Sequence, residues 1–573
     1  MAVDTLVTDH KSESSQTVSF SMTQPGTGRA AQIGMFLGPA LFLIILQSPV
    51  PAGMAPEAWR LLAVTALMSS WWLTQAIPIA ATSLLPIVLF PLLGIQTSAL
   101  VSEAYINKQV FLFLGGFIIA LGIEKWGLHE RIALHIVRVL GTSLRKVILG
   151  FMLATGFLSM WISNTASTLL MTPIGLALVV SLQRALRAKV GTAEVGSELS
   201  EPKHETIDRD GPLGSFGISL MLGIAWSASI GGMTTLVGTV TNVQFVSLWE
   251  QGFPAGPKIS AAVWLTAFAP VGLVLVLLAW GLLTFNLKGS DTQAVDRAFF
   301  SERLRRLGRP SFAELSMLFV FTATALLWTF RKPLKFGEEA LVGGWGDFVK
   351  SCLVDKLQAA PEFASQAVDD STVAITMAVL LFLLPSGRRQ KDEPRRLMDW
   401  ETAQTLPWAI LLLVGGGFAI ADSFDQTGLA SWVGDAFATQ VAAWPIWMTI
   451  AAVCFLLTFL TEFATNVVVV SVILPVLAKA SLDLEIDPRL LMLPAAASAS
   501  CAFMLPIGTP PNAIVFSSGV LSMGDMAKKG FLLNLIGVVL MTIATVVYLV
   551  PHLDLQTDGL PEWAKTEAVG NGQ

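Results

Sequence analysis

Two short polar clusters, each set inside an apolar run, constrain this chain more than any other feature. The first reads Ser159-Met-Trp-Ile-Ser163-Asn164-Thr165 and lies within the run 147–182, ahead of Thr172-Pro173. The second reads Thr461-Glu462-Phe463-Ala464-Thr465-Asn466-Val467, lies within 444–480, and is followed by Leu474-Pro475. About 20 apolar residues cross a bilayer, and each run is roughly twice that length, so each is predicted to be a re-entrant helical hairpin with a polar tip. Unwound backbone at membrane depth must be buried in protein or line a cavity, because lipid offers no hydrogen bonds. Ser, Asn and Thr also bond helix to helix in membrane bundles, and a single tip is read equally well that way. Two related tips point to a solute site.

The surroundings fit a polytopic membrane protein. The chain is 53% hydrophobic and 13% charged, with a mean hydropathy of +0.66, about half the charge of an average soluble domain. Cys352, Cys454 and Cys501 have neither metal-ligand nor redox spacing, so they are read as inert. The five His and three Cys are too sparse for an intramembrane enzyme, and no cofactor and no nucleic-acid partner are expected.

Taken in order, the chain predicts eleven crossings besides the two hairpins. Residues 1–30 read as a disordered cytoplasmic tail, and 31–285 as the first helix with a first repeat that holds the hairpin 147–182 and a cytoplasmic insertion 183–213. Residues 286–311 read as a cytoplasmic linker, 312–553 as a second repeat with the hairpin 444–480, and 554–573 as a polar C-terminal tail. Cytoplasmic loops carry the excess of Lys and Arg. Arg131, Arg138, Arg145 and Lys146, then Arg303, Arg305, Arg306 and Arg309, then Arg388, Arg389 and Lys391, then Lys528 and Lys529 fall on one face. The N-terminus is therefore expected in the cytoplasm and the C-terminus outside, in a plasma (inner) membrane. The stretch from His129 to Leu140 puts charges on one helical face and aliphatics on the other, which predicts an interfacial helix.

The two halves repeat. Gly115-Gly116-Phe117 and Gly127-Leu128 return as Gly416-Gly417-Phe418 and Gly428-Leu429; Asn164 and Pro173 return as Asn466 and Pro475; Gly238-Thr239-Val240-Thr241-Asn242 returns as Gly508-Thr509-Pro510-Pro511-Asn512. Five crossings and one hairpin per copy would turn the second copy upside down. Inverted repeats with interrupted helices near the midplane build the sites of many secondary transporters. A half-helix that starts after each break presents free N–H groups and a positive dipole end to an anion. Hydroxyls, the amides of Asn164 and Asn466, and carbonyls freed at Gly238 and Gly508 can coordinate Na⁺.

At these motifs the chain resembles the divalent anion/sodium symporter family, from Ile33 to Val550. The most specific pieces are Phe113-Leu-Gly115-Gly116-Phe117 running to Leu128-His129-Glu-Arg131, the tip Ser163-Asn164-Thr165, and Leu505-Pro506-Ile-Gly508-Thr509-Pro510-Pro511-Asn512. The resemblance implies an all-α homodimer in which each protomer has a scaffold domain and a transport domain that moves as an elevator. It implies one Na⁺ site at Ser159, Ser163, Asn164 and Gly238, and a second at Thr461, Ala464, Asn466 and Gly508. The substrate is implied near Asn164, Thr165, Thr239, Thr465, Asn466, Val467, Thr509 and Pro510. Glu462 is expected to hydrogen bond structurally and not to bind a cation.

Two departures stand out against the family pattern. Val467 is apolar where a substrate-facing hydroxyl is expected, and Val240-Thr241 replaces Pro or Gly, so that Thr241 is expected to offer a hydroxyl in compensation. The reading is Na⁺-coupled symport of a small divalent anion, foremost a C4-dicarboxylate such as succinate, malate or fumarate. A dicarboxylate exchanger without net Na⁺ flux, a sulfate transporter and an anion channel are the alternatives.

Overall fold

The computed structural model describes residues 29–140, 143–190, 213–285, 287, 297–331, 334–336, 339–342, 344–358, 360, 367–387, 395–506 and 508–565. The tail 1–28, the bulk of the insertion (191–212), the basic residues Arg388, Arg389 and Lys391, and the end of the C-terminal tail (566–573) lie outside them.

The described chain is almost wholly helical. One antiparallel ribbon, Leu334–Phe336 with Glu339–Val342, is the exception. Apolar side chains in lipid leave the backbone no outside partner, so each segment closes its hydrogen bonds on itself. Helix starts are set by polar caps: Asn107 accepts from the Gln109 and Val110 amides at 3.1 Å, and Ser311 with Glu314 and Ser522 with Asp525 form reciprocal capping boxes.

Among the described residues seven helices have the length and composition of a membrane crossing, or eight if the pair Trp408–Phe424 and Leu429–Val441, bent by 74°, is one span. Other apolar helices are shorter, among them Ala31–Gln47, Ile79–Leu92, Asp370–Leu383 and Ile446–Leu460. Two predicted crossings are each interrupted and built as two helices. The apolar run 215–249 divides into Gly214–Met233 and Val240–Gly252, and the run 490–517 into Arg489–Ser498 and Pro510–Ser517. Each of the two runs predicted as hairpins consists of two helices on either side of a short break, Leu144–Ser159 before Asn164–Val190 and Ile446–Leu460 before Asn466–Asp483.

Gly214–Met233 is the centre of the fold. It is almost wholly buried, as expected of a helix that is apolar all round. It crosses Leu144–Ser159 so closely that a Cβ on Gly231 would lie 2.1 Å from the Gly156 carbonyl oxygen. Small residues permit this approach where lipid supplies no hydrophobic drive between helices.

The segment predicted as a polar tail begins differently. Residues 553–564 fold back on the molecule: Arg489, paired with the buried Asp487 at 2.6 Å, donates to the carbonyls of Leu553 and Asp554 at 3.2 and 3.3 Å. Trp563 packs edge-on against Trp249, and Ala564 is fully buried. Hydropathy missed this docking because it rests on one buried ion pair and one indole.

The amphipathic stretch forms the helix Leu128–Leu140. Its Arg131 reaches the start of the helix Phe312–Thr329, where its guanidinium donates to Glu314 at 3.2 Å and to the carbonyls of Leu307 and Gly308.

Candidate functional site

The first tip is held by oxygens that outnumber protons. The single hydroxyl proton of Ser159 faces two acceptors, the Asn164 Oδ1 at 2.6 Å and the Ala228 carbonyl at 2.7 Å. A hydroxyl can donate only once, so this group has lone pairs to spare for a cation. Asn164 is seated on the central helix, since a Cβ on Gly232 would fall 2.2 Å from its Oδ1. Ser163 uses its Oγ to accept the Ala166 amide at 3.2 Å, which starts the tip helix, and Thr165 stands half-buried beside it.

The break 234–239 is tied to that tip. The Thr235 hydroxyl donates to the Met160 carbonyl and accepts the Gly238 amide at 3.0 Å. The Asn242 side chain donates to the carbonyls of Gly232, Met233 and Thr235 at 2.7–3.1 Å, and Trp264 Nε1 donates to Met233 at 2.9 Å. Gly238 has to be glycine, because a Cβ there would lie 2.5 Å from the Gly232 carbonyl oxygen.

The second break repeats this arrangement position by position. Asn512 donates to Ala502 and Leu505, both at 3.0 Å, and Trp226 Nε1 donates to Phe503 at 3.1 Å. Thr239 and Thr509, which open the half-helices, have nearly the same backbone, at φ −143°, ψ 147° and φ −142°, ψ 150°. One element differs. Where the first half uses the Thr235 hydroxyl, the second uses the fully buried Glu462, whose carboxylate accepts the Met504 amide at 2.8 Å, the Leu505 amide at 2.9 Å and Asn534 Nδ2 at 2.7 Å. Glu462 is thereby spent on structure, as expected. Gly508 lies against it, a Cβ there meeting Oε2 at 3.0 Å.

The halves interlock crosswise. Val240–Gly252, which follows the first break, packs on the second tip helix Asn466–Asp483; Pro510–Ser517, which follows the second break, packs on the first tip helix Asn164–Val190. Each half-helix start is thus carried by a helix that begins at the other repeat's tip.

Thr465 Oγ1 and Asn466 Oδ1 at the second tip and Thr509 Oγ1 at the second break are buried and have no hydrogen-bond partner among the described residues. Leaving such groups unpaired is costly. Neutral hydroxyl and amide oxygens suit a hard cation, and the positive dipole end of the half-helix Pro510–Ser517 favours an anionic oxygen, with Pro510 and Pro511 themselves carrying no N–H to donate. The donor set therefore fits Na⁺ beside a carboxylate. Thr461 turns its hydroxyl to the Leu457 and Thr458 carbonyls, at 2.9 and 3.1 Å, so toward an ion it offers only lone pairs. Ala464 and Val467 are buried. Thr241 is also buried, its Oγ1 lying 3.4 Å from both Thr239 Oγ1 and Ser500 Oγ.

Sequence reasoning named the tip and break residues but missed the groups that hold them, namely Trp226, Trp264, Thr235 and Asn534. Asn534 carried a usable signal, a lone amide inside an apolar run, where polar side chains call for a partner. The two indoles carried none.

Comparison with known proteins shows the family. The family described as the sodium:sulfate symporter transmembrane region matches residues 30–552. A protein named sodium-dependent dicarboxylate transporter SdcS from Staphylococcus saprophyticus is 37% identical over 521 residues, which is 91% of each chain. Its namesake from Staphylococcus aureus strain bovine RF122 is 38% identical over the same share. Among solved structures, the Alcanivorax borkumensis YdaH transporter aligns over 91% of this chain and 96% of its own, with a TM-score of 0.46 and 11% identity, a likeness too remote to carry weight. The match over nearly the whole chain places this protein among the transporters of the sodium:sulfate symporter family, the divalent anion/sodium symporters.

Proposed function

We propose that the protein is a Na⁺-coupled symporter of a small divalent anion, foremost a C4-dicarboxylate. The observation that carries this reading is the crossed pair of tips and breaks, with cation-type oxygens and half-helix starts brought together in each half. The relatives' printed names, sodium-dependent dicarboxylate transporters, support the substrate class and the coupling ion.

One Na⁺ would be held by Ser159, Ser163, Asn164 and the Gly238 carbonyl, and another by Asn466 with Thr461, Ala464 and Gly508. The anion would lie between the tips, against Asn164, Thr165, Thr239, Thr465, Asn466, Val467, Thr509 and Pro510. Coupling meets an electrostatic need, since a potential of about −100 mV opposes entry of two negative charges by about 4.6 kcal/mol, at ~2.3 per charge. Two Na⁺ cancel that term, and a third turns the potential into a drive.

The repeats are taken to be inverted, with eleven crossings, the N-terminus in the cytoplasm, and a domain boundary between the repeats at 286–311. The helices that carry the tips and breaks would form the transport domain, moving as an elevator against a scaffold that pairs two protomers. Uptake of labelled succinate into empty proteoliposomes under an inward Na⁺ gradient, against an equal K⁺ or choline gradient, tests the function. Uptake only after preloading with unlabelled dicarboxylate would make the protein an exchanger, and sulfate uptake insensitive to excess succinate would change the substrate.

A further inference from the structure

Where the helix Val240–Gly252 lies on the second tip helix Asn466–Asp483, two buried polar side chains meet. The Gln244 amide donates to the Ser471 hydroxyl, which donates to the Val467 carbonyl at 2.8 Å. Both side chains are at most 1% exposed. Gln244 stands five residues after Thr239, and Ser471 five after Asn466, so the bridge sits little more than one turn behind both ligand-facing ends.

The residues at the matching positions in the other half are apolar. Five residues after Thr509 comes Ile514, and five after Asn164 comes Leu169. An aliphatic pair holds two helices together without the cost of burying an amide, and the Gln244 Oε1 has no hydrogen-bond partner among the described residues. Adhesion alone does not account for the Gln244–Ser471 pair. What the pair adds is direction, since a hydrogen bond fixes register and rotation where an aliphatic contact does not.

A third helix closes on the same point. Gly417, in the second Gly-Gly-Phe motif, approaches so closely that a Cβ would lie 2.5 Å from Ser471 Oγ and 2.7 Å from Gln244 Nε2. The bridge therefore forms where elements of both repeats touch the helix Trp408–Gln426.

We propose that Gln244 is a positioning residue for the ligand site: by orienting Ser471 onto the Val467 carbonyl, it holds the first turn of the second tip helix in register with Thr239. The ion and anion donors of the two repeats then face one another. This inference rests on the transport function proposed above and assigns the residue that aligns its two halves.

The test compares Gln244→Leu, Ser471→Ala and the double variant with the unmodified protein in proteoliposomes. Gln244→Leu should raise the half-saturating concentrations of Na⁺ and succinate about tenfold and leave the maximal rate per assembled transporter within about twofold, the split that separates binding from turnover. Ser471→Ala should give the same shift, and the double variant no more, as for residues acting through one contact. A merely structural role would lower yield and maximal rate with unchanged half-saturation. That result, or shifts that add, would overturn the proposal. If Gln244→Leu does not assemble, Ser471→Ala decides alone.

The same variants are also read by Na⁺-dependent thermal stabilisation of the purified protein. Should the unmodified protein respond to Na⁺ yet carry no dicarboxylate, the transport reading fails, and the Na⁺ concentration for half-stabilisation still decides the role of Gln244. No response to Na⁺ at all would overturn both.

Discussion

Glu462 and Asn534 grip the second helix break between them. Asn534 donates to Glu462 Oε1 at 2.7 Å and accepts the Phe503 amide at 3.2 Å, while Glu462 takes the amides of Met504 and Leu505. Three consecutive backbone donors freed by the break are thereby satisfied inside the protein, as membrane depth requires.

Glu462→Gln keeps the volume but leaves one side-chain oxygen to serve two amides and sets an NH₂ group against a backbone donor. The expected loss is about 1.5–3 kcal/mol for each charge-assisted bond removed, seen as a lower melting temperature. Na⁺-driven uptake should fall at least about tenfold, since 1.4 kcal/mol is a factor of ten. Unchanged stability and uptake would mean that the carboxylate does not organise the break.

Glycines along the chain differ in what they protect. At Gly232 a methyl group would land 2.2 Å from Asn164 Oδ1, whereas at Gly116 it would meet Val237 at 3.5 Å, an ordinary contact. Gly232→Ala should therefore abolish Na⁺-dependent uptake and Na⁺-dependent thermal stabilisation by displacing the tip amide. Gly116→Ala should retain uptake within about twofold, since it creates neither a cavity nor an overpacked site. Equal effects of the two variants would contradict the seating of Asn164 on the central helix.

Arg131 marks a different kind of constraint. Its guanidinium joins the helix Leu128–Leu140 to Glu314, which also accepts the Ser311 amide at 2.6 Å in a capping box. Both partners are only 11% exposed in their side chains. Glu314→Gln should destabilise the protein by about 1.5–3 kcal/mol while leaving the half-saturating Na⁺ concentration unchanged, because the pair lies away from the residues proposed to hold Na⁺. Thermal unfolding set beside Na⁺ titration of uptake checks this.

The parts of the fold that depend on local composition were legible in the sequence. The tips showed because Asn164 and Asn466 interrupt apolar runs, and the breaks showed because Gly238-Thr239 and Gly508-Thr509 recur with an Asn four residues after each glycine. What remained hidden depends on partners far along the chain. Trp226 and Trp264 look like packing residues until their indoles are seen to take the equivalent carbonyls of Phe503 and Met233. Docking of Trp563 against Trp249 likewise has no local signal, because an aromatic in a polar segment looks the same whether it faces solvent or another ring. The substitution of Glu462 for the role of Thr235 could not be read from the repeat either, since the two residues do not occupy matching positions.

The most direct test of the account is Na⁺-driven uptake of labelled succinate into empty proteoliposomes, with the unmodified protein beside Asn164→Ala and Asn466→Ala. Concentrative uptake is expected with an inward Na⁺ gradient, none with an equal K⁺ or choline gradient, and loss of uptake in both variants. Equal uptake under all three gradients, or full activity after either substitution, would contradict it.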